Sequence, residues 1–465
     1  MKEIIDNEKF DTKLYASDWR YSAAIYGLTR YFITYGIAYE SEEDYILYNS
    51  KDIAEEKYID FVNQEYGKDF HHNILKDILG KTELSDDDIK LIKEKLSANR
   101  IMKKVFSKVK FNGENKAEIL TLIEENKSIL IKETYGKKND GYSNYISINK
   151  KAEVELLKEK GNYCRLVGYK CADEGRKSKS LGYCFDKETF KSEDEREFDF
   201  IPFAFQGNRE AIFINSNYSI EKLVEANNYL REELERQKKE NNDKNINARK
   251  TLFKSIVSSS KFLDYDVEVI IKNLDKDYYE TMYIRKEAIK IFRALKDMEF
   301  DYDSICFSYK VNDNYYINIE KEITDNIING IVVDDIIETL LKDNEKKDKK
   351  GISFGHNYKI NQMIKINILI RGEESMKDRL KGAYACAKKV VENIPENKVD
   401  SYRQKLISSI IFKDYDRANQ ILLQLSNYAG IEFGFIYDLF ENFEENKDLA
   451  YTFINALNKN NYKNN

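Results

Sequence analysis

The stretch YASDWRYSAAIYGLTRYF (Tyr15–Phe32) decides how the amino-terminal part of this chain folds. Tyr21, Ile25, Leu28, Phe32 and Tyr35 recur at helical spacing and draw one apolar stripe. Ser17 or Asp18 supplies the cap, because a side-chain oxygen there accepts from an otherwise unpaired first-turn amide. Ala23, Ala24 and Gly27 fall on an adjoining face. Glycine costs a helix interior roughly 1 kcal/mol relative to alanine. Gly27 is therefore expected where another backbone packs closely, as in a buried helix docked on a sheet.

Outward from this helix, GIAYE-SEED-YILYN reads as a hairpin of two short aromatic runs around an acidic turn. Residues 51–132 read as mostly helical: Ile53 to Tyr66, Asn73 to Leu79, Ser85 to Leu96 and Lys116 to Ile131. Phe198, Phe200 and the Phe203/Phe205 pair alternate, and Ile212–Ile214 is β-like, so this middle region is expected to be β-rich, with Pro202 at an edge or a break. Asn217 to Glu240 is a long amphipathic helix. From about Lys250 the helical signal dominates. LKDNEKKDKKG (Leu341–Gly351) is a charged run without apolar content and reads as a linker. Beyond it the apolar periods at Leu380–Val391, Leu406–Ile411, Ala418–Tyr428, Phe433–Phe443 and Leu449–Leu457 spell a helical bundle, with Gly430 stopping the third helix.

The expected fold class is α+β. A mixed amino-terminal region (1–160) leads to a β-rich middle with its long helix (161–240), then a helical connecting region (241–350) and a carboxy-terminal α-helical bundle (351–465). Length alone suits about three domains.

Hydrophobic residues make up 42% and charged residues 34% of the chain, which can therefore bury cores. The polar, acidic start MKEIIDNEKFDTK carries no signal segment, no apolar run reaches the ~18 residues of a membrane span, and the five cysteines are odd in number. These features point to a reducing cytoplasm and no membrane. A net charge of −6 argues against a surface that is basic all over. Yet Ser97–Gly113 carries Arg100, Lys103, Lys104, Lys108 and Lys110 without an acid, Lys244–Lys254 has four basic residues and no acid, and Met376–Arg417 has ten basic against six acidic. Three segregated basic stretches in an acidic protein favour contact with a polyanion over simple solvation.

Familiar catalytic patterns are missing from the sequence. His71 and His72 are adjacent, point about 100° apart on a helix, and so cannot make the i,i+4 metal pair; a surface position is expected for them. No GxxxxGK[ST], GxSxG or dinucleotide fingerprint occurs. Asp86–Asp88 and Asp334–Asp335 read as helix-start or solvated residues. Cys164, Cys171 and Cys184 are widely spaced, with no CxxC and no histidine near, so neither zinc nor any other cofactor is expected. A non-enzymatic binding or assembly subunit is the reading that remains.

Three stretches together carry a resemblance. DWRYSAAIYGL (Asp18–Leu28) resembles the DWxYNAGIxGL start of large subunits from type I-B CRISPR interference (Cascade) complexes. FDFIPFAF…IFINSNYSIEKLVEANN (Phe198–Asn228) resembles the same family's middle, and Tyr402–Leu457 its closing helices with an aromatic-rich end. Ala24 stands where the pattern has glycine, and the paired CxxC motifs of many relatives are reduced to the three cysteines above. The resemblance implies a non-catalytic subunit of a guide-RNA complex. Such a subunit would recognise the motif beside a DNA target, aid duplex opening and recruit a helicase-nuclease. Its partners would be guide RNA, target DNA and the other complex subunits. It needs lysines for phosphates and amide or basic side chains for base edges. Lys103, Lys104, Lys108 and Lys110 supply the first. The loop Tyr135–Tyr145 offers Lys137, Lys138, Asn139 and Asn144. The alternative is a helical scaffold or adaptor that binds proteins alone. The same family implies that 376–465, or a start at Met363, forms an independent bundle.

Overall fold

The computed structural model describes residues 1–136, 156–157, 195–207, 210–216, 218–241, 247–259, 262–273, 278–344, 355–372 and 376–458. It is an α+β chain, with small antiparallel sheets and a helical carboxy-terminal region. Two compact units divide it: Met1–Thr251 with Val267–Tyr283, and Leu252–Asp266 with Ile284–Asn465.

The first unit opens with β1 (Lys2–Ile4), β2 (Thr12–Tyr15), α1 (Trp19–Tyr35), β3 (Tyr39–Ser41) and β4 (Tyr45–Tyr48), the strands forming an antiparallel sheet in the order β1-β2-β4-β3. The acidic SEED run turns the expected β3–β4 hairpin, in which Tyr39 pairs with Tyr48 and Ser41 with Ile46. Period-two alternation buries Leu14, Ile46 and Tyr48 on one face. Asp18, not Ser17, caps α1 by accepting from the Arg20 amide at 2.8 Å. The helix is buried without a break from Tyr21 to Phe32. A single stripe understates it, because neighbours cover every side.

Helices α2 (Glu55–Tyr66), α3 (His71–Leu79), α4 (Asp86–Lys95), α5 (Arg100–Val105), α6 (Lys116–Glu125) and α7 (Lys127–Gly136) follow. Ser85 and Asp88 close a reciprocal capping box on α4, so the Asp86–Asp88 cluster is a helix start as expected. Leu75, Ile92, Met102, Phe106, Ile119 and Leu130 form a second core under α3–α7, and α7 links it to the aromatic core around α1, into which its Ile131 and Tyr135 pack.

Arg196–Ala204 is a 3-10 helix, which corrects the strand reading of Phe198–Phe205. Its apolar side chains also fit a period of three: Phe200 with Phe203, and Phe198 with Ile201 and Ala204, all buried. Carbonyls that a sheet would pair are met by side chains. Arg30 Nη1 donates to Phe203 O at 2.7 Å, the Tyr58 hydroxyl to Asp199 O at 2.6 Å, and the Tyr66 hydroxyl to Pro202 O at 3.0 Å. This segment, rather than a sheet, is what α1 meets at Gly27. A Cβ on Gly27 would lie 2.2 Å from the Phe200 carbonyl oxygen. Glu197 is fully buried here, with Lys2 Nζ at 2.8 Å and the Tyr48 hydroxyl at 2.9 Å. Burial alone would raise its pKa, but Lys2 and Arg196 outweigh that and hold the carboxyl below its ordinary value.

The expected strand at Ile212–Ile214 is β5 (Glu210–Asn215), and the long helix is α8 (Ile220–Asn241). Buried Asn227 of α8 mimics a missing strand. Its amide accepts from Ile214 N at 3.0 Å and donates to Ile214 O at 2.7 Å. After α9 (Ala248–Ser258) come β6 (Val267–Asn273) and β7 (Tyr279–Ile284), completing a sheet ordered β5-β6-β7. The helical reading beyond Lys250 missed β6 and β7. The partner of β6 is β5, whose Glu210 pairs with Asn273, far away in sequence.

The second unit holds α10 (Lys286–Asp297), the hairpin β8 (Ser308–Asn312) and β9 (Tyr315–Asn318), α11 (Ile319–Asn329), α12 (Asp334–Asp343) and α13 (Asn357–Arg371). Five more helices follow among the described residues: α14 (Met376–Asn393), α15 (Glu396–Ile411), α16 (Tyr415–Ala429), α17 (Ile436–Glu441) and α18 (Lys447–Ala456). These five match the bundle expected from periodicity, and Gly430 takes φ 65° after α16. The charged run Leu341–Gly351 begins inside α12, and residues 345–354 lie outside the described set.

The bundle is not closed at Met376. Buried Asn367 of α13 donates to Asp334 at 2.8 Å and to Asp448 of α18 at 2.9 Å, while Arg371 lies 3.2 Å from Asp334 and 3.4 Å from Asp448. Asp334 starts α12 as read, yet it is buried in this network rather than solvated. A start at Met363 cuts α13 itself. These contacts weigh against the independent bundle expected from sequence.

Candidate nucleic-acid interface

Of the three basic stretches, Ser97–Gly113 is the one whose cations are all exposed and meet no acid among the described residues. Asn99 caps α5 by accepting from the Met102 amide at 2.9 Å, and its own amide donates to Thr134 Oγ1 of α7 at 3.3 Å. Ile101, Met102, Phe106 and Phe111 anchor the segment in the core of α3–α7. With these apolar positions turned inward, Arg100, Lys103, Lys104, Lys108 and Lys110 are all exposed. None of the five forms an ion pair with a described residue. Elsewhere in the same layer Lys76 is neutralised by Glu124 at 2.6 Å, Lys81 by Asp88 at 2.7 Å, and Lys132 by Glu55, whereas Lys90 and Lys93 of α4 are exposed without an ion pair to a described residue.

Five uncompensated charges on one short segment make a local positive field that the net charge of −6 conceals. Exposed ammonium groups of this kind bind phosphate and carry no base readout. The buried Phe106 and Phe111 leave no exposed aromatic ring on the segment for stacking.

The other two basic stretches are mixed, since only some of their cations are exposed and without an ion pair to a described residue. In Lys244–Lys254, Arg249 is buried and Lys254 pairs with Asp303 at 2.8 Å, while Lys244 lies outside the described residues. In Met376–Arg417, Arg403 is buried, Arg379 faces Asp438 at 3.3 Å, Lys381 faces Asp378 at 3.0 Å, and Lys388 lies over the Tyr384 ring. Lys137, Lys138, Asn139 and Asn144 lie outside the described residues, as do Cys164, Cys171 and Cys184. Residue 137 follows directly on α7, the helix that packs against α5.

The histidines correct one expectation. His72 is completely buried and His71 half-buried, because α3 turns this edge of its first turn into the layer. Among the described residues no group of three or more His, Cys, Asp or Glu side chains gathers to hold a metal ion, and no helix is long and apolar enough to cross a membrane.

Sequence reasoning passed over two aromatic features. On the outer face of the first sheet, Lys13 Nζ sits 3.7 Å from the Tyr45 ring centre and 4.5 Å from that of Tyr15. On the β8–β9 hairpin, Tyr315 and Tyr316 are more than half exposed. Short alternating runs such as TKLY and YYIN carry the only signal for either.

Residues 10–244 and 233–457 match the family described as CRISPR-associated protein Csx8. No curated protein and no solved structure matches the chain. The two matched stretches take in both units and run from the first sheet to the last helix. The chain belongs to the CRISPR-associated protein Csx8 family.

Proposed function

We propose that this protein is a non-catalytic large subunit of an RNA-guided DNA surveillance complex, the role carried by the type I-B large subunits it resembles. In that role it recognises the motif beside the target, helps to open the duplex and recruits a helicase-nuclease. The observation that supports a nucleic-acid role is the set of five exposed, unpaired cations on α5 and the residues after it. In a protein of net charge −6 such a set makes a local positive field of the kind that attracts a polyanion. Lys103, Lys104, Lys108 and Lys110 hold the phosphate backbone. Base reading falls to other residues, with Asn139 and Asn144 as the sequence candidates.

The test replaces Lys103, Lys104, Lys108 and Lys110 by alanine and measures duplex DNA affinity across salt concentrations. Four lost phosphate contacts should weaken binding alike for all sequences and lower the slope of log K against log salt by about 3–4. Unchanged affinity and slope would favour the scaffold that binds proteins alone.

A further inference from the structure

His72 is the most anomalous side chain in the first unit. It is fully buried against the Phe70 ring at 5.7 Å, and neither ring nitrogen has a hydrogen-bond partner among the described residues. A neutral imidazole must carry one N–H, and burying it unpaired works against folding. Leucine or phenylalanine would fill the same place without that penalty. The charged imidazolium is worse placed still. His71 and Lys76 flank it on α3, and Lys127 faces it from α7. Glu124 of α6 is its opposing charge, and that carboxylate is already engaged by Lys76 at 2.6 Å. From α4, Lys95 and Glu94 act on the neighbouring His71, and Lys68 and Asp69 of the preceding turn are exposed.

We propose that His72 makes the lysine-bearing layer α3–α7 an acid-sensitive clasp: protonation of this sealed ring opens the layer and releases bound nucleic acid. The layer has an apolar core of its own and joins the aromatic core around α1 through Phe70, just before α3, and through Ile131 and Tyr135 of α7, so it can open about those points while the aromatic core stays folded. Burial first, then Lys127 and His71, push the His72 pKa down from 6.5 to about 4. Between those values the opened layer takes up a proton that the closed layer refuses. Stability therefore falls as the pH drops from 6.5 toward 4 and falls no further below. One such proton raises the opening equilibrium up to about tenfold per pH unit. A basic face on a rigid scaffold would hold phosphate equally well or better in acid, so the two behaviours are opposite in sign. The release half rests on the nucleic-acid reading above; the opening half does not.

Hydrogen exchange of the full chain between about pH 7 and 5, corrected for the intrinsic chemical rate, tests the opening, and anisotropy of a short labelled DNA duplex tests the release. In the wild type, peptides from α3–α7 should lose protection up to tenfold per pH unit below 6.5 while β5 and β6 hold, and duplex affinity should fall in parallel. His72→Phe should make both profiles distinctly shallower, the half-buried His71, whose pKa burial also lowers, keeping a remainder. Should that variant fail to fold, Lys127→Met removes a facing cation and should make the acid loss shallower. Protection of α3–α7 that ignores pH in the wild type, or acid opening unchanged in His72→Phe, overturns the clasp. Acid opening in a protein that binds no duplex at any pH sinks the nucleic-acid reading and leaves the clasp standing.

Discussion

Replacing Gly27 by alanine sets two physical effects of opposite sign against each other. In a solvent-exposed helix the change stabilises by roughly 1 kcal/mol, through lower backbone entropy in the unfolded chain. Here the new methyl carbon would lie 2.2 Å from Phe200 O, 2.9 Å from Phe200 Cβ and 3.0 Å from Phe200 C. The obstacle is backbone, in a segment held by Arg30 at Phe203 O, Tyr58 at Asp199 O and Tyr66 at Pro202 O, so it cannot swing aside as a side chain would. Helix α1 and the segment must part by roughly an ångström, a gap that forfeits a quarter to a half of each dispersion contact across it. Those contacts include the ring pairs Tyr31–Phe200 at 5.3 Å and Tyr21–Phe198 at 5.0 Å. Overpacking of this kind costs 1–3 kcal/mol and occasionally more, and a rigid backbone obstacle places Gly27 at the upper end. Set against the gain of roughly 1 kcal/mol, the expected net loss is about 2 kcal/mol, or a fall in Tm of roughly 4–8 °C for a unit of this size. Trp19 is the sole tryptophan and packs against Phe205 and Tyr279, so its fluorescence reports the melting of this unit. Gly382 of α14 is the control, since a Cβ there meets nothing within 4 Å. Gly382→Ala should raise stability by up to about 1 kcal/mol, followed by circular dichroism. A Gly27→Ala protein that melts at or above the wild-type temperature would refute the close-approach argument.

Asn227→Leu should destabilise the first unit by about 2–4 kcal/mol in the same fluorescence melt, because it strips both Ile214 backbone groups of their partner in a buried place. Lys2→Met should cost about 1–3 kcal/mol at neutral pH, since it leaves Glu197 buried with fewer countercharges. The Glu197 carboxyl is held below its ordinary value, so its contribution is present at neutral pH and disappears as the pH falls through the folded-state pKa; the variant should show a shallower acid limb in a urea titration. A fragment of residues 376–465 should give a broad, non-cooperative circular-dichroism trace, because it leaves Asp448 without Asn367 and Arg371. A sharp transition in that fragment would show that the contacts of α13 are dispensable.

Much of this protein was legible locally. The helix α1 with a cap at Ser17 or Asp18, the β3–β4 hairpin, the long α8 and the helices from Met376 onward all follow from apolar period and end signals within a dozen or so residues. The basic run Ser97–Gly113 could be read as charge, and the exposure of its cations follows from the apolar spacing that turns Ile101, Met102 and Phe106 inward. The CRISPR association was legible too, from motifs at both ends and the middle of the chain.

What the tertiary structure decided are the places where a residue's partner lies far off along the chain. Phe198–Phe205 reads as alternation, but α1 and α2 supply hydrogen bonds to its carbonyls and so permit a 3-10 turn where a strand was expected. Strand β6 forms because β5 is there to pair with it. Lys254 has the same charge as Lys103, yet one meets Asp303 and the other meets no acid among the described residues. His72 was expected at the surface, and it is buried because of how α3 packs on its neighbours. Sequence sets each residue's local preference and charge; pairing, burial and neutralisation are relations between distant segments, and only the folded chain fixes them.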